Sequence, residues 1–441
     1  MQILITNIGK LFQTYEKAPA APVRGTALKE VPTVENAFLL VSQGRVVDFG
    51  PMEALDSAPI AMTIDAGGRH VLPTWVDAHT HLVFADTREE EFVMKLQGKT
   101  YEEIAAAGGG ILNSARKLEE TPEETLYEQA RRRIIDLISL GTGALEIKSG
   151  YGLSPEAELK MLRVIQQLKK TFPIPIKSTF LGAHAYPARF RDDHEGYIRQ
   201  IIEEMLPAVA DEGLADYVDV FCDRGFFSPE ETARILKAAR EYGLRPRIHA
   251  NELGHTGGVR VAVEHGAASV DHLEYLNDEE IALISQSSTI PIMLPGTAFY
   301  LNLPYPPARK MIEAGLPVAV ASDYNPGSSP SGNMAFMLSL ATTKMKMLPE
   351  EALHAVTINP AFSLNIQDTH GHLRKGGPAN FIITRPVKNL ASLAYHYAMP
   401  VVEAVFIDGK IWNARHNAIT AQCADAACLE YPRTALFHSL R

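Results

Sequence analysis

WVDAHTHLVFA, running from Trp75 to Ala85, is the stretch whose reading decides the fold. Its apolar, partly β-branched run reads as a strand, and His79 and His81, two residues apart near its end, point to one face. In an open doubly wound sheet the first strand ordinarily leads into a glycine-rich phosphate turn, whereas here it leads into histidines. From about Thr142 onward, apolar runs alternate with amphipathic, charge-dotted stretches: ALEIKS, PIKSTFLGAH, YVDVFCD, PRIHANE, SVDHLEY, TIPIMLPG and PVAVASD. That alternation is the rhythm of βα units. With the opening stretch it gives eight strand candidates, followed mostly by helices, over a span close to that of a (β/α)8 barrel. The expected fold class is α/β, with a TIM-like barrel at its centre.

The helices between these strands carry readable starts. Thr121-Pro122-Glu123-Glu124 and Ser228-Pro229-Glu230-Glu231 each present a capping hydroxyl, a proline at the first helical position and a glutamate placed for a capping box. Between Ser154 and Phe172, apolar residues recur at Leu159, Leu162, Ile165 and Leu168, as in a helix laying one face on a sheet. The two ends differ from this middle. Residues 1–66 and 368–412 read as short alternating strands with glycine turns, one composite β domain of sandwich type flanking a barrel over 67–367. Residues 413–441 show no periodicity and form a tail of unassigned purpose.

Composition narrows the function. A formal charge of −10, from 42 Lys plus Arg against 52 Asp plus Glu, leaves no basic field for phosphate backbones, so no nucleic acid is expected as a partner. No window approaches the roughly 18 apolar residues of a membrane span, and MQILITNIGK lacks the basic start of a secretory signal, so a cytoplasmic chain without a membrane partner is expected. Three cysteines, Cys222, Cys423 and Cys428, build no disulfide framework.

Two imidazoles on one strand face supply half of a tetrahedral metal site. Further strand-end residues join them: His249 in PRIHANE, with Glu252 three residues on, His272 in VDHLEY and Asp323 in AVASDYNPG. Singly, each has a bland account as a satisfied histidine or a turn aspartate. In a barrel, strand ends converge on one mouth, and so many falling together there point to a site. Asp77, two residues before His79, is placed to support the cluster as an outer acceptor. Cys222 is read as a small buried hydrophobe, not a ligand.

With these residues the chain resembles the amidohydrolase superfamily, and within it the imidazolonepropionase family, over about residues 1–412. The stretches that carry the resemblance are VDAHTHLVFADTREEEF, EIKSGYGLSPEAELKMLRV, FLGAHAYP, DVFCDRGFFS, DHLEYL and SDYNPGSSPS. Departures fall at Thr74 and Trp75, at Gly143 and Ala144, and at Asn251, none of them a proposed ligand. The resemblance implies a barrel of the metal-dependent hydrolase type and one divalent metal, zinc before iron, held by His79, His81, His249 and Asp323. The fourth strand, YVDVFCDRG, has no lysine that would bridge a second metal, in keeping with one. The implied reaction is hydrolysis of the cyclic amide of 4-imidazolone-5-propanoate, with Glu252, His272 and Asp323 sharing the proton transfers.

An anionic substrate in an acidic protein needs a local cation, and Arg88 is the candidate, its alternative being a surface pair with Glu89, Glu90 or Glu91. By the resemblance Tyr151 and His184 also touch substrate, as does Glu252. Asn325, Gly327 and Ser328 complete the pocket, where a glycine lets backbone N–H groups approach a carboxylate. Tyr101 is a further possible contact, and a homodimer is implied by resemblance alone. Two rivals stand beside this reading: a deaminase of a purine or pyrimidine ring, for which Arg88 would have no carboxylate to hold, and a non-catalytic, metal-stabilised scaffold.

Overall fold

The computed structural model describes residues 2–56, 62–99, 103 and 109–412. Eight parallel strands run in sequence order around one sheet: β1 (Trp75–Asp77), β2 (Thr142–Lys148), β3 (Ile176–Ala183), β4 (Tyr217–Cys222), β5 (Arg245–Ala250), β6 (Ser269–His272), β7 (Ile290–Met293) and β8 (Ala319–Val320). Just beyond their ends, β8 meets β1. Asp323 N donates to His79 O at 3.0 Å, His81 N donates to Tyr324 O at 2.9 Å, and Thr80 bridges Tyr324. The expected (β/α)8 barrel is what forms, and its closing seam passes through the histidines that ended the first strand.

Helices cover the outside. Pro155–Thr171 starts at Ser154, whose hydroxyl accepts from Ala157 N, and buries Leu162, Ile165 and Leu168 completely. Pro229–Glu241 carries the full capping box, with Ser228 N donating to Glu231 Oε2 at 2.7 Å and Glu231 N to Ser228 Oγ at 3.2 Å. The expected Thr121 cap does not form. Pro122 takes the cap position of Glu123–Ser139, one residue beyond Thr121, whose hydroxyl donates to Lys117 O at 2.6 Å in the last turn of the preceding helix.

Segments from both ends of the chain build a second, mixed sheet. Gln2–Phe12 lies between Thr33–Ser42, Met62–Asp65 and Val71–Pro73, and Phe381–Thr384 and Val402–Ile407 extend it. Its own core includes Ile3, Ile5, Ile8, Leu39, Phe381 and Phe406. Among the described residues no helix is long and apolar enough to cross a membrane. Tyr101, Cys423, Cys428 and the stretch 413–441 lie outside the described residues.

Candidate functional site

The interior of the barrel is charged. Glu146 and Lys148 of β2, Asp219 of β4, Arg247 of β5 and Asp271 of β6 are all fully buried on its axis side. Strand alternation explains how they arrive there: Glu146 and Lys148, like Arg247 and His249, are two residues apart and share a face. Ions without water must be paired, and here they are.

Above this layer stand the imidazoles. Among the described residues one group of three metal-binding side chains forms, His79, His81 and His249, with ligand atoms all within 4.8 Å of one another. His249 Nε2 lies 3.3 Å from His81 Nε2. Asp323 Oδ1 is 3.4 Å from His79 Nε2 and 3.5 Å from His81 Nε2, while its Oδ2 accepts the Thr297 hydroxyl at 2.5 Å. Burial holds all three rings deprotonated: His79 and His81 lie well below the usual histidine range, and His249 is lowered to about 3. His79 Nε2 is buried with no hydrogen-bond partner. Convergent nitrogens and a carboxylate, with His79 Nε2 orphaned among them, are the donor set a divalent metal takes.

Each of two rings is backed by a carboxylate. His79 Nδ1 is 2.7 Å from Asp271 Oδ2, and His249 Nδ1 is 3.0 Å from Asp219 Oδ2. A carboxylate only accepts, so His79 Nδ1 carries the proton and its Nε2 stays bare, and the charge of Asp219 beside His249 Nδ1 favours the same arrangement there. Asp77, expected as an outer acceptor of the cluster, backs neither ring and acts on the chain around the site. Asp77 accepts from Ser322 N at 3.0 Å and Ser322 Oγ at 2.5 Å, which fixes the segment leading to Asp323.

Glu252 and His272 face each other across the same mouth, Oε2 to Nε2 at 3.7 Å, with Glu274 Oε1 3.5 Å from His272 Nδ1. Burial pushes Glu252 up from the usual carboxylate range. Burial alone would lower His272, but Glu252 and Glu274 outweigh it and hold the ring as a cation. Asp223 pins the loop that carries Glu252, its Oδ2 accepting from the N–H groups of Glu252 at 2.8 Å and Leu253 at 3.0 Å. His272, with φ of 83°, and Asp323, with φ of 52°, sit in the left-handed region that side chains other than glycine rarely adopt, a strain typical of working sites.

Arg88 turns inward. Its Nε donates to Ser114 Oγ at 2.9 Å, its guanidinium lies 6.0 Å from the Tyr151 ring centre, and Glu91 is no nearer than 4.0 Å. A Cβ on Gly327 would come within 2.6 Å of Arg88 Nη1, so glycine lets the guanidinium lie where it does without shifting. The Gly327 and Ser328 N–H groups, which the sequence reading offered to a carboxylate, both donate at 2.8 Å to Asn325 Oδ1. Asn325 thus holds that turn. Tyr151 is buried beside His81 and His184, with ring centres 5.9 and 5.5 Å away. His184 stacks on His81, donates from Nδ1 to Gly150 O at 2.9 Å, and burial lowers its pKa to about 4. Glu158 fixes the Tyr151 loop by accepting from the N–H groups of Gly150, Gly152 and Leu153.

The residues given a site role in sequence are therefore brought to one mouth, apart from Asp77 just below it and Tyr101, which lies outside the described residues. Asp219, Asp271, Glu274, Lys148 and Thr297 were missed. The signal available for the first two and for Lys148 was a charged residue at the inward phase of an otherwise apolar strand.

Comparison with known proteins gives the family. The model of the amidohydrolase family matches residues 70–412. The chain is 50% identical to the imidazolonepropionase of Christiangramia forsetii over 411 residues, 93% of this chain and 100% of that one. It is 42% identical to the imidazolonepropionase of a Geobacillus species over 414 residues, covering 93% and 97%. Among solved structures, E. coli guanine deaminase matches with a TM-score of 0.70 at 15% identity, over 93% of this chain and 98% of that one. A triazine hydrolase variant matches with a TM-score of 0.70 at 16% identity, over 96% and 98%. At such identities the structural likeness is one of fold.

Proposed function

The chain belongs to the amidohydrolase family and, within it, to the imidazolonepropionases, and from that footing we infer that it hydrolyses the cyclic amide of 4-imidazolone-5-propanoate to N-formimidoyl-L-glutamate, the third step of histidine degradation. The observation that carries the substrate within this geometry is Arg88, a guanidinium turned into the mouth that holds the imidazoles. It binds the propanoate, with Tyr151 and His184 walling the ring and the Asn325, Gly327 and Ser328 turn closing the pocket. A deaminase of a nucleobase would leave that guanidinium without a carboxylate.

One divalent metal per chain, zinc before iron, would be held by His79, His81, His249 and Asp323, and when bound it supplies Lewis acidity and a water that ionises near neutral pH. The chain's own groups move the protons. Asp323 takes the proton of the attacking water. His272, kept cationic by Glu252 and Glu274, donates toward the carbonyl oxygen as negative charge develops there. Glu252, whose affinity for a proton burial has raised, receives that proton from Asp323 and delivers it to the ring nitrogen as the carbonyl–nitrogen bond breaks. Water thus adds its oxygen to the carbonyl carbon, and its two protons end on the new acid and the leaving nitrogen.

The partner is a small anion, in keeping with a chain at −10 that offers nucleic acid no basic field, and we place the protein in the cytoplasm as a homodimer. The test is metal content of the purified protein beside turnover of freshly generated imidazolone propanoate. Metal-replete protein that leaves the imidazolone intact but deaminates a purine or pyrimidine would overturn the reading.

A further inference from the structure

Below the imidazoles, where a barrel of this kind ordinarily packs branched apolar side chains, sits Lys148. Its Nζ lies 2.8 Å from Asp219 Oδ2, 2.9 Å from Glu146 Oε1 and 3.6 Å from Asp271 Oδ2. Both aspartate oxygens have a second neighbour. Asp271 Oδ2 is also the atom 2.7 Å from His79 Nδ1, and Asp219 Oδ2 is also the atom 3.0 Å from His249 Nδ1. One ammonium therefore spans the two carboxylates that orient two imidazoles from β1 and β5. Arg247 adds a second cation, 3.6 Å from the same Asp271 oxygen, and donates to Ala78 O, one residue before His79, at 2.8 Å.

Two carboxylates facing one axis without water repel each other, and each would swing away from its imidazole unless a cation stood between them. We propose that Lys148 is a positioning residue for the metal: by spanning Asp219 and Asp271 it locks His249 and His79 with their Nε2 atoms bare and converging. The proposal rests on the reading of His79, His81, His249 and Asp323 as ligands. It differs from a purely structural role, because an ammonium that only stabilised the barrel would leave the ligands of a folded protein where they are.

The experiment uses full-length protein stripped of metal. Zinc affinity is measured by competition with a chromophoric chelator, and ligand geometry by the visible spectrum of the cobalt-substituted form. Lys148→Met should weaken zinc binding by about 10- to 100-fold, the usual weight of an outer partner, and alter the cobalt spectrum. In an Asp219→Asn/Asp271→Asn background the same change should add less than about threefold, since the carboxylates through which it acts are gone. Should Lys148→Met not fold, Lys148→Arg carries the same expectation, because a longer planar cation cannot keep both short approaches. Folded Lys148 variants with wild-type affinity and spectrum, or losses that simply add, would overturn the proposal alone. Wild-type protein that binds neither ion would overturn the ligand reading and this proposal with it.

Discussion

Glu252 Oε2 faces His272 Nε2 at 3.7 Å inside a pocket that also holds Glu274, 3.5 Å from the other ring nitrogen. A cation flanked by two buried carboxylates is a proton-handling arrangement, and Asp223 holds the backbone N–H of Glu252 so that the carboxylate keeps its place. Glu252→Gln keeps the shape and removes the carboxylate that takes up and hands on the proton. It should retain the metal and lower kcat by roughly 10² or more, the usual weight of a general acid or base. A variant with near-normal kcat would mean that Glu252 only positions substrate.

Metal content gives the second prediction. Removing His249 takes away the ring that meets His81 at 3.3 Å and leaves Asp219 without its imidazole. Wild-type protein should hold about one transition metal per chain, and His249→Ala should lose most of it together with activity. Elemental analysis returning two metals per chain at full occupancy would refute the mononuclear centre.

Much of this centre was legible because its candidate ligands sit at strand ends, where the period-2 alternation of HTH and the shared mouth of a barrel make distant residues converge. The carboxylates behind the rings were not. Asp219 and Asp271 lie inside apolar strands, and whether an inward phase meets the barrel axis or the helix layer depends on closure, which no single strand reveals. The pairing that sets His249 opposite Asp271 is a register between β5 and β6, a tertiary property. Thr121 failed as a cap because the helix starts one residue later than the pattern suggests, with Pro122 at the cap position.

The third prediction concerns acid stability at the second sheet. His370 Nε2 accepts from Asn380 Nδ2 at 3.0 Å, so the buried ring is neutral, and burial lowers its pKa from 6.5 to about 4. Between those values the unfolded chain binds more protons than the folded one. Its contribution is therefore complete above about pH 6.5 and is lost as the pH falls toward 4, a change of about 3 kcal/mol at most. Denaturant unfolding of wild type and His370→Gln at pH 7 and pH 4.5 should show a smaller acid loss in the variant. Equal losses in both would remove His370 as a source.

Arg88 supplies the prediction on which the substrate depends. Its guanidinium stands against Gly327, 6.0 Å from the centre of the Tyr151 ring, and is not committed to the glutamates that follow it in sequence, Glu91 being 4.0 Å away. If it grips the propanoate directly, Arg88→Met removes a charge-assisted pair from a partly desolvated pocket and should cost about 2 to 5 kcal/mol in kcat/KM while leaving the metal in place. Arg88→Lys should recover only part of that loss, because a point charge cannot reproduce two parallel bonds to a carboxylate. A surface pair with Glu91 would be worth far less, and kcat/KM would then stay within a factor of about three of wild type. Gly327→Ala offers an independent check, since its added methyl would press on Arg88 Nη1 and should raise KM with the guanidinium still present. Near-normal turnover by Arg88→Met, with metal content unchanged, would move the carboxylate clamp elsewhere and take away the main physical support for an anionic imidazolone as the substrate.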